Sequence, residues 1–189
     1  MPPNDRGAWL RGRLSEAGDR LNTNQAALTQ SAAILPMRYT MDGKPRLTEH
    51  WYATVDGDPA GLLLYERHYS CYQYKDNRQR KLFMGPGEKL VLLTYDADAL
   101  FGWRKFKDDS GQRGVNCAVF RNEGTILSSE LIIEAERPAW ARWPGERLYT
   151  YVSPNVRSSN PGCCFKKAGW IFCGLTKNGL LIFEKVTKS

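Results

Sequence analysis

The chain has 189 residues, 42% of them hydrophobic and 12% aromatic, with 27 Lys and Arg against 20 Asp and Glu and a formal net charge of +7. That length and apolar content fit one compact domain with its own core and exclude a disordered chain. No apolar run approaches the roughly 18 residues of a membrane span, and the start, MPPNDRGAW, lacks the apolar stretch of a secretory signal, so a soluble cytoplasmic protein with no membrane partner is the expectation.

In chain order, residues 1–46 are polar and broken by Pro36 and Pro45, and read as one or two short helices leading into an irregular segment. From His50 the text turns strand-like: WYATV, a turn at DGDPAG and then LLLYE predict a hairpin ahead of the core. The stretch RHYSCYQYKDNRQRK, 67–81, interleaves His68, Tyr69, Tyr72 and Tyr74 with Arg67, Lys75, Arg78, Arg80 and Lys81, and its periodicity is ambiguous. Two antiparallel strands follow over 89–95 and 99–106, joined tightly at 96–98, and a third over 115–121.

After FRNEG the spacing becomes helical, with Ile126, Ile133 and Trp140 at intervals of seven and Leu127 and Leu131 four apart. A helix over 128–143 is predicted, with Ser128 or Ser129 as its cap, Glu130 at its positive end, and Pro138 as a kink or early stop. The strand RLYTYV, a short helix over 163–168, and a hairpin of WIFCGLT and LLIFEKV turned at 177–179 complete the order. The long helix between strands 115–121 and 147–152 is a crossover that favours parallel pairing. The class is therefore α+β, a mixed, mostly antiparallel sheet flanked by helices, with its core over 85–186.

Cys71, Cys117, Cys163, Cys164 and Cys173 are odd in number and form no CxxC pair, which suits reduced thiols; the adjacent Cys163 and Cys164 point in different directions, against structural zinc. The basic excess is spread over 67–81, over Arg104, Lys105 and Lys107, and over Lys166 and Lys167, so nucleic acid is the partner to test and a solvated surface is the plainer reading.

Two parallel strands that splay leave a gap at their carboxyl ends where backbone groups and a helix N-terminus can meet a ligand. Here those ends are Phe120, Arg121, Asn122 and Val152, Ser153, Pro154, with Ser128 and Ser129 at the helix mouth and Arg121, Tyr149 and Tyr151 facing the gap. Ordinary sheet-face aromatics are the plainer reading of the two tyrosines.

The segment NPGCCFKKAGW, 160–170, resembles a motif of the GNAT (acyl-CoA N-acyltransferase) family, in which an Asn after a strand opens a short helix that ends in an aromatic, a Gly and another aromatic. The family's helix packs beside the donor's pantetheine arm and often carries a tyrosine as general acid; Phe165 stands at that position, so the usual acid is missing. More narrowly, RHYS (67–70), GPGEKLVLL (85–93), VFRNEG (119–124), SSELI (128–132) and RLYTYV, in this order, resemble the Mom family of phage DNA-modification proteins.

This resemblance implies a single GNAT-like domain over 1–189 that converts adenine in double-stranded DNA to its N6-carbamoylmethyl form in the host cytoplasm, shielding it from restriction enzymes. Matched motif by motif, it offers His68, Tyr69, Arg121, Ser129, Tyr149 and Tyr151 as catalytic candidates and Asn122, Gly124, Ser128 and Asn160 as donor-binding ones. Adenine's amine is a poor nucleophile because its lone pair is delocalised, so a base such as His68 has to take its proton as the bond forms. Arg121 suits a two-pronged clamp on phosphate or carboxylate, and the tyrosines suit stacking on a base turned out of the duplex.

GNAT enzymes that use acetyl-CoA carry a Gly-rich pyrophosphate loop, Q/RxxGxG/A, between the fourth strand and its helix; RNEGTILSS stands there, with one Gly. The donor is left open between acetyl-CoA and another acyl or alkyl donor, and a metal such as iron fits the chemistry, with His68 and Tyr or Asp neighbours as ligands, although no spacing argues for one. Two rivals stand beside this reading: a conventional N-acetyltransferase acting on a small amine or protein, and a non-catalytic DNA-binding module.

Overall fold

The computed structural model describes residues 43, 45–76, 78–107, 111–156 and 159–187, all within the compact unit Tyr39–Ser189. The short helices expected over 1–46 fall almost wholly outside them. Seven strands form one sheet in the order β1-β2-β3-β4-β5-β7-β6: β1 (Trp51–Thr54), β2 (Glu88–Thr94), β3 (Ala99–Lys105), β4 (Val115–Asn122), β5 (Leu148–Val152), β6 (Ile171–Leu175) and β7 (Leu181–Lys185). Every neighbouring pair is antiparallel except β4 with β5, which are parallel as the crossover requires. The class is thus α+β with a mixed sheet, and the strands from β2 to β7 sit within a residue or two of their predicted positions.

The first predicted hairpin is wrong in its second half. LLLYE is not a strand but part of α1 (Pro59–Glu66), because Asp58 accepts from the backbone N–H groups of Ala60 at 3.0 Å and Gly61 at 3.3 Å while Pro59 supplies a preset first turn. Gly61, Leu64 and Tyr65 then face inward at helical spacing and Leu63 points to solvent. The second helix, α2 (Ser128–Arg142), runs through Pro138 rather than stopping at it, and its cap position is Leu127 with no side-chain bond. Neither predicted cap, Ser128 or Ser129, takes that place, and the Ser128 hydroxyl instead accepts from Asn122 Nδ2 at 3.0 Å. A third helix, α3, spans Cys163–Lys167.

Alternation along the strands divides the interior into two layers. One packs α2 and α3 on the sheet, with Trp51, Phe101, Trp103, Val115, Leu131, Ile132, Ala135, Phe165 and Trp170; the other packs α1 and the 83–84 segment, with Leu64, Tyr65, Phe83, Met84, Leu93, Leu100 and Val119. Trp51 and Trp103 donate their indole N–H to the α2 carbonyls of Leu131 and Ala135, both at 2.9 Å, which satisfies the polar handle of each buried ring. Under the helices, Lys185 Nζ reaches Glu136 Oε2 at 2.7 Å and the Ala168 carbonyl at 2.7 Å, while Trp170 donates to Glu136 Oε1 at 2.7 Å.

One irregularity shapes the site. Gly102 pairs with Val119 and Trp103 with Cys117, so Ala118 is an extra residue in β4, a bulge that bends the strand. Beyond the bulge β4 leaves β5: their parallel ladder holds only Val115 to Leu148, Asn116 to Tyr149 and Cys117 to Thr150.

Candidate functional site

Where the β4–β5 ladder ends, main-chain groups lose their partners and a gap opens. Thr150 answers part of this by donating its hydroxyl to the Cys117 carbonyl at 3.1 Å. The gap is a cavity of about 540 Å³, lined from β4 by Asn116 to Phe120, from β5 by Thr150 to Ser153, from the α3 side by Asn160 and by Gly162 to Phe165, and at its mouth by His68, Tyr69 and Ser70. Gly162 has φ +74°, and a Cβ there would come within 2.4 Å of the Phe183 ring, so glycine lets α3 close against β7 and form this wall.

His68 and Tyr69 straddle the gap. The His68 ring is hydrogen-bonded to the Phe120 backbone on the β4 side, and the Tyr69 hydroxyl to the Ser153 backbone on the β5 side. Ser70 N–H donates to His68 Nδ1 at 3.2 Å, with Ser70 Oγ 2.7 Å from the same nitrogen, so Nδ1 acts as acceptor and the proton is assigned to Nε2. Burial, with Arg121's charge adding to it, pushes the His68 pKa down to about 4. His68 is therefore a neutral, weak base at pH 7, its lone pair turned to Ser70. Tyr69 leaves 57% of its surface open, yet its hydroxyl end is enclosed by Ser153, Cys117 and Cys164, and burial raises its pKa. Burial raises the Cys117 and Cys164 thiols as well.

The other sequence-predicted residues divide. Tyr151 and Asn160 line the cavity. Tyr149 does not: it stands on the last closed rungs of the ladder, 2% exposed, under the Arg147 guanidinium at 5.0 Å. Arg121 follows Phe120 but turns to Glu123, with Nη2 2.8 Å from Oε1; Arg67 holds the other carboxylate oxygen at 2.6 Å, and the two arginines keep that carboxyl down to about 2. Asn122 spends its side chain on the loop, donating to the Ile126 carbonyl at 2.8 Å and accepting from Gly124 N–H at 3.0 Å. Gly124 packs so closely on Asp98 that a Cβ would meet its carboxylate at 2.0 Å. Ser128, Ser129 and the Asn122–Gly124 turn all lie outside the cavity wall.

The basic and aromatic stretch beyond Tyr69 forms a cleft of about 370 Å³ of its own. Arg80 is internal to it, over the Tyr65 and Tyr74 rings and donating to the Tyr72 carbonyl, whereas Lys75, Arg78 and Lys81 are exposed. Among the described residues the one trio of His, Cys, Asp or Glu placed to hold a metal is Glu49, His50 and Glu134, with ligand atoms within 4.8 Å of one another, and none of these lines the cavity. Two of those atoms are already joined, His50 Nδ1 to Glu134 Oε1 at 2.6 Å. No helix among the described residues is long and apolar enough to cross a membrane.

Sequence reasoning missed Ser70, Asn116 and Thr150 as cavity residues. The available signal was a polar residue at a strand position between apolar or aromatic ones: Asn116 between Val115 and Cys117, Thr150 between Tyr149 and Tyr151. No family model matches the chain, nor does any curated protein or solved structure.

Proposed function

We propose that this chain is a GNAT-like transferase that modifies the exocyclic amine of adenine in double-stranded DNA, giving the N6-carbamoylmethyl form. The observation that carries the reading is that four separate segments, HYS at 68–70, residues 116–120 of β4, residues 150–153 at the end of β5 and GCCF at 162–165, line one cavity at the splay of two parallel strands. In the GNAT resemblance the short helix packs beside the donor, and here α3 walls the gap between the parting strands.

Charge is segregated in a way that suits a nucleotide. His68, Tyr69, Cys117 and Cys164 at the cavity are all pushed by burial toward their neutral forms, while Lys75, Arg78 and Lys81 stand exposed on the segment that leads away from its mouth. A neutral base fits inside and its phosphates fit outside. Ser70 Oγ, 2.7 Å from His68 Nδ1, is placed to hold the amine by a hydrogen bond, while burial keeps His68 neutral. Tyr69, Tyr151, Phe120 and Phe165 are the cavity aromatics from which a stacking partner for the base would come.

Acetyl-CoA is the disfavoured donor. The loop that would cradle its pyrophosphate has Gly124 N–H committed to Asn122 and the Asp98 carboxylate packed on Gly124, an anion where an anion would bind. The test is nucleoside mass spectrometry of DNA from cells expressing the protein. A heavier deoxyadenosine is expected, its mass naming the added group. Unmodified DNA alongside abundant soluble protein would refute the proposal.

A further inference from the structure

A second cavity opens beside the first. It is the cleft of about 370 Å³ lined by Glu66, by residues 71–74 and by residues 78–80, and Ser70 of the first cavity is followed directly by Cys71 of the second. The Tyr65 ring joins them. It stacks on His68 with 6.5 Å between centroids and 13° between planes, and it carries the Arg80 guanidinium at 5.1 Å. Arg80 and Arg78 both rest on Tyr74, at 4.6 and 4.2 Å from its centroid, so a continuous run of rings and guanidinium groups leads from the cavity mouth into the cleft.

Within this frame Tyr72 is the ring left open. It stands edge-on to Tyr74, 5.7 Å between centroids and 81° between planes, and it is 62% exposed. Its carbonyl accepts from Arg80, which holds the main chain beneath it. Gln73, Arg78 and Gln79 are the exposed polar side chains around it in the cleft. An accessible aromatic face beside a cation and amides is how proteins hold a base by its face and its phosphate by charge.

We infer that the cleft is a subsite for the nucleotide next to the modified one, its base stacked on Tyr72 and its phosphate met by Arg78. This rests on the DNA reading above. The spacing agrees: two residues separate Ser70 from Tyr72, at most about 7 Å of chain, and successive bases on one strand rise by about 3.4 Å. A strand that delivers one base to the first cavity therefore brings the next to the second. Flipping a base also strips its neighbour of a stacking partner, and the Tyr72 ring supplies a replacement.

The experiment measures binding of the full chain to duplexes whose target adenine stands opposite an abasic site, with the nucleotide on its 5′ or its 3′ side either intact or stripped of its base. Wild type is expected to lose about tenfold in affinity when the base is removed on one side, and little on the other. Tyr72→Phe keeps the ring and is expected to follow wild type. Tyr72→Ala is expected to bind the intact duplex about tenfold more weakly and to be indifferent to the stripped neighbour. Both variants should melt with wild type, since the ring is exposed and the Arg80 bond goes to the main chain.

Equal wild-type affinity for intact and stripped duplexes on both sides, or the same tenfold loss in Tyr72→Ala as in wild type, would overturn the subsite. The transferase reading then stands if DNA from expressing cells carries the modified adenine. Wild type that binds none of the duplexes also overturns the subsite, and with unmodified DNA in cells it sinks both together.

Discussion

Replacing His68 by Gln tests whether the cavity is as dry as its lining implies. The imidazole has an ordinary pKa of 6.5 and sits at about 4 in the folded chain. At 1.36 kcal/mol per pH unit that gap corresponds to about 3 kcal/mol at most, and less because the ring is only partly buried. The sign follows from proton counting. Above about pH 6.5 the ring is neutral folded and unfolded, and has no effect. Between about 6.5 and 4 the unfolded chain binds a proton that the folded chain refuses, so stability falls as pH falls; below about 4 both bind it and the loss levels off. Urea unfolding of wild type and His68→Gln across this window should show wild type losing about 1 kcal/mol more than the variant by about pH 5.5, and about 2 by about pH 4.5. The chain has 2 histidines, so NMR titration of the imidazoles gives an independent reading. Parallel stability curves, or a His68 resonance titrating near 6.5, would refute an imidazole held neutral by burial.

Asp58→Ala removes the acceptor for Ala60 N–H, Gly61 N–H and the Thr54 hydroxyl, and should cost about 1 to 2 kcal/mol in chemical unfolding. Gly162→Ala adds a Cβ 2.4 Å from the Phe183 ring at a positive φ, and should lower stability by about 2 kcal/mol or more and reduce DNA modification, because α3 is a cavity wall. Glu136→Leu leaves Lys185 and the Trp170 N–H without their carboxylate and should cost about 3 kcal/mol, part of it recovered in Glu136→Leu/Lys185→Met, as measured by thermal melts. Reversing Lys75 and Lys81 to Glu should weaken DNA binding and flatten its salt dependence without lowering the melting temperature, whereas Arg78→Glu and Arg80→Glu should also disturb the loop, since both guanidinium groups stack on Tyr74.

Most of the sheet was legible because its strands alternate and its turns are marked. The pairings of β2, β3 and β4, the crossover through α2 and the closing hairpin all follow from period and breakers. Leu62, Leu63 and Leu64 with Tyr65 misled because a short apolar run carries no period of its own, and the deciding signal was the Asp58–Pro59 cap rather than the run itself. A gap between the two parallel strands was legible from the crossover, but not that the strands part as early as Cys117 and Thr150. The cause of that early parting is the extra Ala118, and VNCAVF contains no Gly or Pro to announce a bulge. Tyr149 and Tyr151 were equivalent in sequence for the same reason, since both point to one face and only the end of the ladder at Thr150 separates the packed ring from the cavity ring.

The bulge also explains why the site is assembled from polar residues that would be poor choices elsewhere. A strand that parts from its neighbour exposes main-chain donors and acceptors on both sides of the gap, and these have to be answered by groups that do not fill it. Thr150 answers Cys117, the His68 ring meets Phe120, and the Tyr69 hydroxyl meets Ser153, all from the edges. These contacts leave the centre open and enclosed, which is what drives His68 down and Tyr69 up. Burial favours the neutral forms of His68, Tyr69, Cys117 and Cys164, and an uncharged, flat ligand suits that lining.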